Sequence, residues 1–174
     1  MSGAWRLRRA EADDAAACAL VAGATFLEAF AGILDGADIL AHVAANSSAA
    51  AFARWIADPA GIVTLAEAEH GAAPIAYTVL TAPDLPVAPA PGDVELKRIY
   101  VLAPFHGSGL AAELMERAAT DARTRGRRRM LLGVYGGNLR AHRFYEKMGF
   151  VGVGTRRFLV GATWHDDLVY ALTL

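Results

Sequence analysis

The six residues His106-Gly107-Ser108-Gly109-Leu110-Ala111 constrain this chain more than any other segment. They leave a strand-like run over 94–102 and open a helix-like run over 110–125, which Gly126 can end. A strongly apolar strand pattern follows at 130–135. Strand, helix and strand in that order make a crossover, so the two strands are expected to run parallel. The turn also carries chemistry. A helix start has unpaired N–H groups and the positive end of the dipole. Glycines let an anion come close to those groups, so the turn proposes a phosphate-bearing ligand. The alternative is a turn needed only for tight strand–helix packing.

Around this crossover the chain alternates strand and helix patterns. A short strand at 5–8 precedes a helix at 15–30, with Asp13 and Asp14 at its start. Gly32 and Gly36 break that helix, and two shorter helices follow at 38–45 and 47–57, with Ser47 as N-cap. Strands are expected at 61–69 and 74–81 across a turn at His70-Gly71-Ala72. Pro83, Pro86, Pro89 and Pro91 make 82–92 a stiff extended loop. After Gly136-Gly137, Asn138 can cap a helix over 139–148 that ends at Gly149. Strands at 151–160 and 168–174, joined by a turn near 161–164, complete the chain. The order predicts an α/β or α+β mixed sheet with helices on its faces.

Composition narrows the class. At 174 residues, with 55% hydrophobic and 20% charged, the chain can bury a sizeable core as a single domain over 1–174. A formal net charge of -1 gives no broad footprint for nucleic acid. The basic run Arg123, Arg125, Arg127, Arg128 and Arg129 reads as a solvated helix end, with phosphate or partner binding as the alternative. Cys18 stands alone, so no internal disulfide forms and no cysteine zinc site is built. It reads as a buried inert thiol. The start, Met1-Ser2-Gly3-Ala4-Trp5-Arg6, lacks the apolar core of a signal peptide. No apolar run reaches spanning length, so the expectation is a cytoplasmic protein that binds no membrane.

Several phosphate-binding readings of the turn fail. Residues 107–112 match G-x-G-x-x-A, yet the next strand ends in Val134-Tyr135-Gly136-Gly137 without the acid that would hold a ribose. No Gly-Lys-Ser/Thr closes a P-loop. Ser108 is flanked two residues away by His106 and Leu110, so it is no nucleophile elbow.

The longer stretch is decisive. Glu95-Leu96-Lys97-Arg98-Ile99-Tyr100-Val101, then residues 106–111, then Asn138 and Phe144-Tyr145-Glu146-Lys147-Met148-Gly149-Phe150, resemble the GNAT N-acetyltransferase superfamily. The resemblance is firm over 94–154, and its strand and final region are most similar to the bacterial spermidine/spermine N-acetyltransferase branch. It implies a mostly antiparallel mixed sheet with helices on both faces and a splayed parallel strand pair. It implies acetyl-CoA as co-substrate, no metal, a small-molecule amine acceptor and, on the resemblance alone, a homodimer. The family's Gln/Arg-x-x-Gly-x-Gly/Ala turn maps onto His106, Gly107, Ser108, Gly109, Leu110 and Ala111, whose N–H groups would hold the pyrophosphate. His106 departs from the usual Arg or Gln, and a cationic phosphate contact would be weaker or pH-dependent there.

By the same resemblance, the strand through Ile99, Tyr100 and Val101 would pair with the pantetheine arm, and Asn138 would lie near the thioester. Asn138 reads equally as a plain N-cap. Arg140, Arg143 and Lys147 have helical spacing and could meet the nucleotide phosphates, or form an exposed basic face. Tyr145 matches the family's general acid; a phenol keeps its proton at neutral pH and can donate it. Packing of a short helix is the plainer role. Glu95 sits where some members carry a general base, and strand alternation would place it on one face with Lys97, Ile99 and Val101. A solvated carboxylate is the alternative. For a cationic polyamine, Glu28, Asp35, Asp38, Asp166 and Asp167 would have to converge. Two rival functions are a non-catalytic acyl-CoA-binding regulatory module and a structural domain.

Overall fold

In a computed structural model, which describes residues 4–174, the crossover is the centre of one mixed sheet. Met1, Ser2 and Gly3 of the expected signal-free start lie outside the described residues. Among the described residues the strands are β1 (Trp5–Arg9), β2 (Ile62–Ala68), β3 (Pro74–Thr81), β4 (Asp93–Val101), β5 (Arg129–Tyr135), β6 (Val151–Val160) and β7 (Thr163–Thr173). The helices are α1 (Ala15–Phe30), α2 (Gly36–Asn46), α3 (Ala49–Ala57), α4 (Leu110–Thr124) and α5 (Leu139–Lys147). The strand order is β1-β2-β3-β4-β5-β7-β6, and every neighbouring pair is antiparallel except β4 with β5. Among the described residues no helix is long and apolar enough to cross a membrane.

That parallel pair is short. Only Asp93, Val94 and Glu95 of β4 face partners on β5, namely Arg129, Met130 and Leu131. Beyond them the strands diverge and leave a gap in the middle of the sheet. Arg129 locks the closed end with two 2.7 Å bonds to Asp93. Arg125 donates to the carbonyls of Pro59 and Gly61. Two of the five basic residues read as a solvated run are therefore structural.

One face of the sheet is covered by α4 and α5, the other by α1, α2 and α3. The buried residues of α4, Leu110, Leu114, Met115, Ala118, Ala119 and Ala122, fall on one helical stripe against Val94, Leu96 and Val101. Each fully buried Leu or Met there contributes about 1.5–3 kcal/mol.

Three local expectations change. Ser48, not Ser47, caps α3, accepting from Ala51 N at 3.2 Å. Ser47 is buried and accepts instead from Arg98 Nη1 at 2.9 Å. The last strand starts at Thr163, because Trp164 to Asp167 pair with β6 and the hairpin tip shrinks to Gly161 and Ala162. Most importantly, β4 does not alternate evenly. Its pairing with β3 steps from Val79/Arg98 to Leu80/Leu96, which leaves Lys97 as an extra residue in a bulge. Val94 and Leu96 before the bulge, and Ile99 and Val101 after it, all pack towards α4. Tyr100 packs with the α1 and α3 cluster. Glu95 therefore faces the α1–α3 side, opposite Ile99 and Val101 rather than beside them.

Candidate active site

The glycine turn lies exposed at the mouth of the gap, with Gly107 at φ +77° and Gly109 at φ +97°. A side chain at either position would be strained, so the turn depends on glycine. Gly109 is the N-cap of α4, and no side chain caps the N–H groups of Ala111 and Ala112. Leu110 N–H is met by Ser108 Oγ at a long 3.3 Å, and that hydroxyl donates to Phe105 O at 2.7 Å. The N–H groups of Gly107, Gly109 and Ala111 have no protein acceptor among the described residues. They form a ready donor set for an anion at a helix start.

His106 does not point at this cradle as a free cation. Its Nε2 lies 2.8 Å from Val101 O and its Nδ1 lies 2.6 Å from Arg140 Nη1. A carbonyl only accepts, so Nε2 carries the proton, and Nδ1 accepts from the guanidinium. His106 thus ties Arg140 of α5 across the gap to the turn. A guanidinium from α5 thereby stands beside the turn. Arg143 and Lys147 are exposed on α5.

The gap itself exposes backbone. Leu102 N donates to Ile75 O, which makes those two a hydrogen-bonded pair. Alternation then turns the N–H and C=O groups of Val101 and Ile99 away from β3 and towards the gap. Extended chain inserted there would find strand-like partners.

Asn138 caps α5, its side chain accepting from Ala141 N at 3.1 Å. His142, which sequence reasoning did not single out, fastens α5 in place. Its Nε2 lies 3.1 Å from the carbonyls of Tyr135 and Gly136, and its Nδ1 lies 3.1 Å from Tyr170 Oη. Only its partners mark it, two carbonyls at the end of β5 and Tyr170, 28 residues further on. This clamp sets Tyr145, which is buried among Phe144, Phe150 and Tyr170. Burial pushes the Tyr145 phenol above its ordinary value, so it holds its proton more firmly. Its hydroxyl has no hydrogen-bond partner among the described residues.

Glu95 is buried, with Oε2 accepting from Asp84 N at 2.7 Å and Oε1 at 3.7 Å from Lys97 Nζ. It anchors the proline-rich loop to β4. Three of the other acids are already engaged. Glu28 accepts from Ala103 N, and Asp38 accepts from Ala162 N and Thr163 Oγ1. Asp166 is exposed, and Asp167 is buried against Arg156 Nε at 3.2 Å. Burial raises the Asp167 carboxyl, and Arg156 partly offsets this. Cys18 is fully buried, and burial pushes its thiol up to about 12. Among the described residues no group of three or more His, Cys, Asp or Glu is placed to hold a metal ion.

A model of the acetyltransferase (GNAT) family matches residues 34–150. The chain is 38% identical over 156 residues to an uncharacterized N-acetyltransferase of Mycobacterium tuberculosis, covering 90% of this chain and 95% of that one. The same figures hold for an uncharacterized N-acetyltransferase of Mycobacterium bovis. In fold it is similar to the PaiA N-acetyltransferase of Thermoplasma acidophilum in complex with coenzyme A, with TM-score 0.81, 20% identity and full coverage of both chains. It is also similar to yncA of Salmonella typhimurium with its cofactor acetyl-CoA, with TM-score 0.69, 21% identity, and 99% and 95% of the two chains covered.

Proposed function

This chain belongs to the acetyltransferase (GNAT) family and is an N-acetyltransferase, and on that premise we propose that it moves the acetyl group of acetyl-CoA directly to the primary amine of a small molecule. The observation that carries this reading is the gap between β4 and β5, open to backbone pairing at Ile99 and at the N–H of Val101 and lined at its mouth by the N–H groups of Gly107, Gly109 and Ala111, which have no acceptor among the described residues. Pantetheine-like chain fits the first and pyrophosphate the second. Coenzyme A or acetyl-CoA bound in two proteins of like fold supports the same assignment.

In this reading the bulge at Lys97 frees backbone N–H groups of β4 to polarise the thioester carbonyl. The amine adds to that carbonyl, the C–S bond breaks, and Tyr145 gives its proton to the departing thiolate. Glu95 is the proposed acceptor for the amine's proton, with its carboxylate fixed by Asp84 N–H. Holding amine and thioester side by side supplies most of the rate. Cys18, buried and with its thiol pushed up to about 12, supports transfer without an acetylated cysteine.

An acceptor panel with acetyl-CoA, read as released thiol, tests the function. Tyr145→Phe is expected to lower kcat with little change in Kd for CoA; full turnover with an unchanged pH profile removes Tyr145 from the mechanism. Glu95→Gln keeps an acceptor for Asp84 N–H and removes the base. If it retains the wild-type profile, Glu95 is an anchor only.

A further inference from the structure

On the face covered by α1, α2 and α3, strands β4 and β6 each carry a guanidinium. Arg98 comes from β4, just beyond the bulge. Arg156 comes from β6 and is laid against β5 because Gly133 has no side chain. A Cβ at Gly133 would stand 2.7 Å from Arg156 Cζ. Glycine within a strand often marks such a close approach.

The two arginines are not equivalent. Arg156 is neutralised by Asp167 at 3.2 Å and lies 4.7 Å over the Phe158 ring. Arg98 is partly buried and has no carboxylate within 4.0 Å among the described residues. Its Nη1 donates to Ser47 Oγ at 2.9 Å, and its guanidinium lies 4.9 Å from the centroid of Trp55. The buried Tyr77 hydroxyl also lies beside this guanidinium, so its neighbours are neutral hydroxyls and an aromatic ring with no anion among them. His42 lies near both arginines. Its ring is 6.1 Å from Phe158, and burial together with the charge of Arg98 pushes its imidazole down to about 4.

A partly buried cation without a counter-ion is costly, and an arginine fork matches a carboxylate with two parallel bonds. On this face Glu95 lies 3.7 Å from Lys97 and Asp167 lies 3.2 Å from Arg156, which leaves Arg98 as the guanidinium without a carboxylate partner among the described residues. We propose that Arg98 receives a carboxylate of the acceptor, so that the acceptor is an amine carrying a carboxylate in the same small molecule, an amino acid and not a polyamine. This inference rests on the acetyltransferase reading.

The test uses the full chain with acetyl-CoA and a panel of the common amino acids, their carboxamides and spermidine. At least one amino acid is expected to be acetylated with kcat/KM tenfold or more above its own carboxamide. Arg98→Gln is expected to close that difference by raising KM for the amino acid, while Kd for CoA stays within about twofold. Arg98→Lys keeps the charge and is expected to restore part of the preference. Equal use of amino acid and carboxamide, or acetylation of spermidine alone, overturns the inference. Calorimetry of the CoA-bound protein with the same amino acids separates the two readings. An amino acid that binds through Arg98 without being acetylated defeats the proposed transfer to it and leaves Arg98 as a carboxylate site only, so the inference about the acceptor falls with it. Acetylation of amines that ignores Arg98 keeps the acetyltransferase reading and overturns the inference.

Discussion

The bond between His106 and Arg140 makes a quantitative demand on coenzyme binding. Arg140 Nη1 lies 2.6 Å from Nδ1 of a ring whose Nε2 is fixed 2.8 Å from Val101 O. A hydrogen bond from a charged group contributes about 1.5–3 kcal/mol when sheltered, and exposure reduces this to about 1 kcal/mol. Arg140→Ala should therefore weaken CoA binding by about fivefold, since 1.4 kcal/mol is a factor of ten. His106→Ala leaves the cation but frees it to wander, and should cost about twofold. Because His106 acts through Arg140, the double variant should bind CoA no worse than about fivefold. Titration calorimetry at low salt measures all three. At about 1 M salt the Debye length falls to about 3 Å and the differences should nearly vanish. Pantetheine, which lacks the pyrophosphate, should bind all four proteins alike. Wild-type affinity in Arg140→Ala, or a double variant equal to the product of the two single effects, refutes the reasoning.

Three further outcomes follow from buried charge and burial. His42 is held neutral, with its folded value of about 4 below the unfolded value of about 6.5, so the unfolded chain binds the extra proton. Stability should fall as pH drops from about 6.5 to 4, and His42→Phe should flatten that slope in urea unfolding. Arg8 joins Asp14 and Glu67, and its bonds hold both carboxyls below the ordinary range. Arg8→Ala should cost about 1–3 kcal/mol at pH 7, and the difference should shrink as pH falls below about 4 and both acids protonate. Cys18→Ala should keep turnover, and native protein should resist iodoacetamide that labels the unfolded chain.

The crossover, the glycine turn and the caps of α5 were legible because each is local. Strand, turn and helix lie within one stretch, and Asn138 meets a residue three positions on. The bulge at Lys97 was not legible. Glu95 to Val101 alternate well enough in sequence to read as a regular strand, and the extra residue appears only against β3. Ser47 and Ser48 are both sound caps by residue type. The choice falls to Ser48 because Arg98, 51 residues further on, takes Ser47. Trp164 to Asp167 look like loop because they are polar or exposed, yet ten residues of β6 give them a partner.

The same distinction explains where the site lies. A sheet normally uses every inner backbone group, and unpaired ones are costly when buried. This chain ends the β4–β5 ladder after Glu95 and leaves Ile99 and Val101 facing a gap. Val101 O is satisfied by His106, a residue from the turn that also aims Arg140. One imidazole therefore meets a structural debt of the open strand and positions a charge at its mouth. A glutamine in its place could reach the carbonyl but would hold the guanidinium less rigidly, because its amide is set by more rotatable bonds. In the proposed reading, Arg140 stands in for the usual Arg or Gln. That guanidinium comes from α5, whose seating depends on His142 and Tyr170.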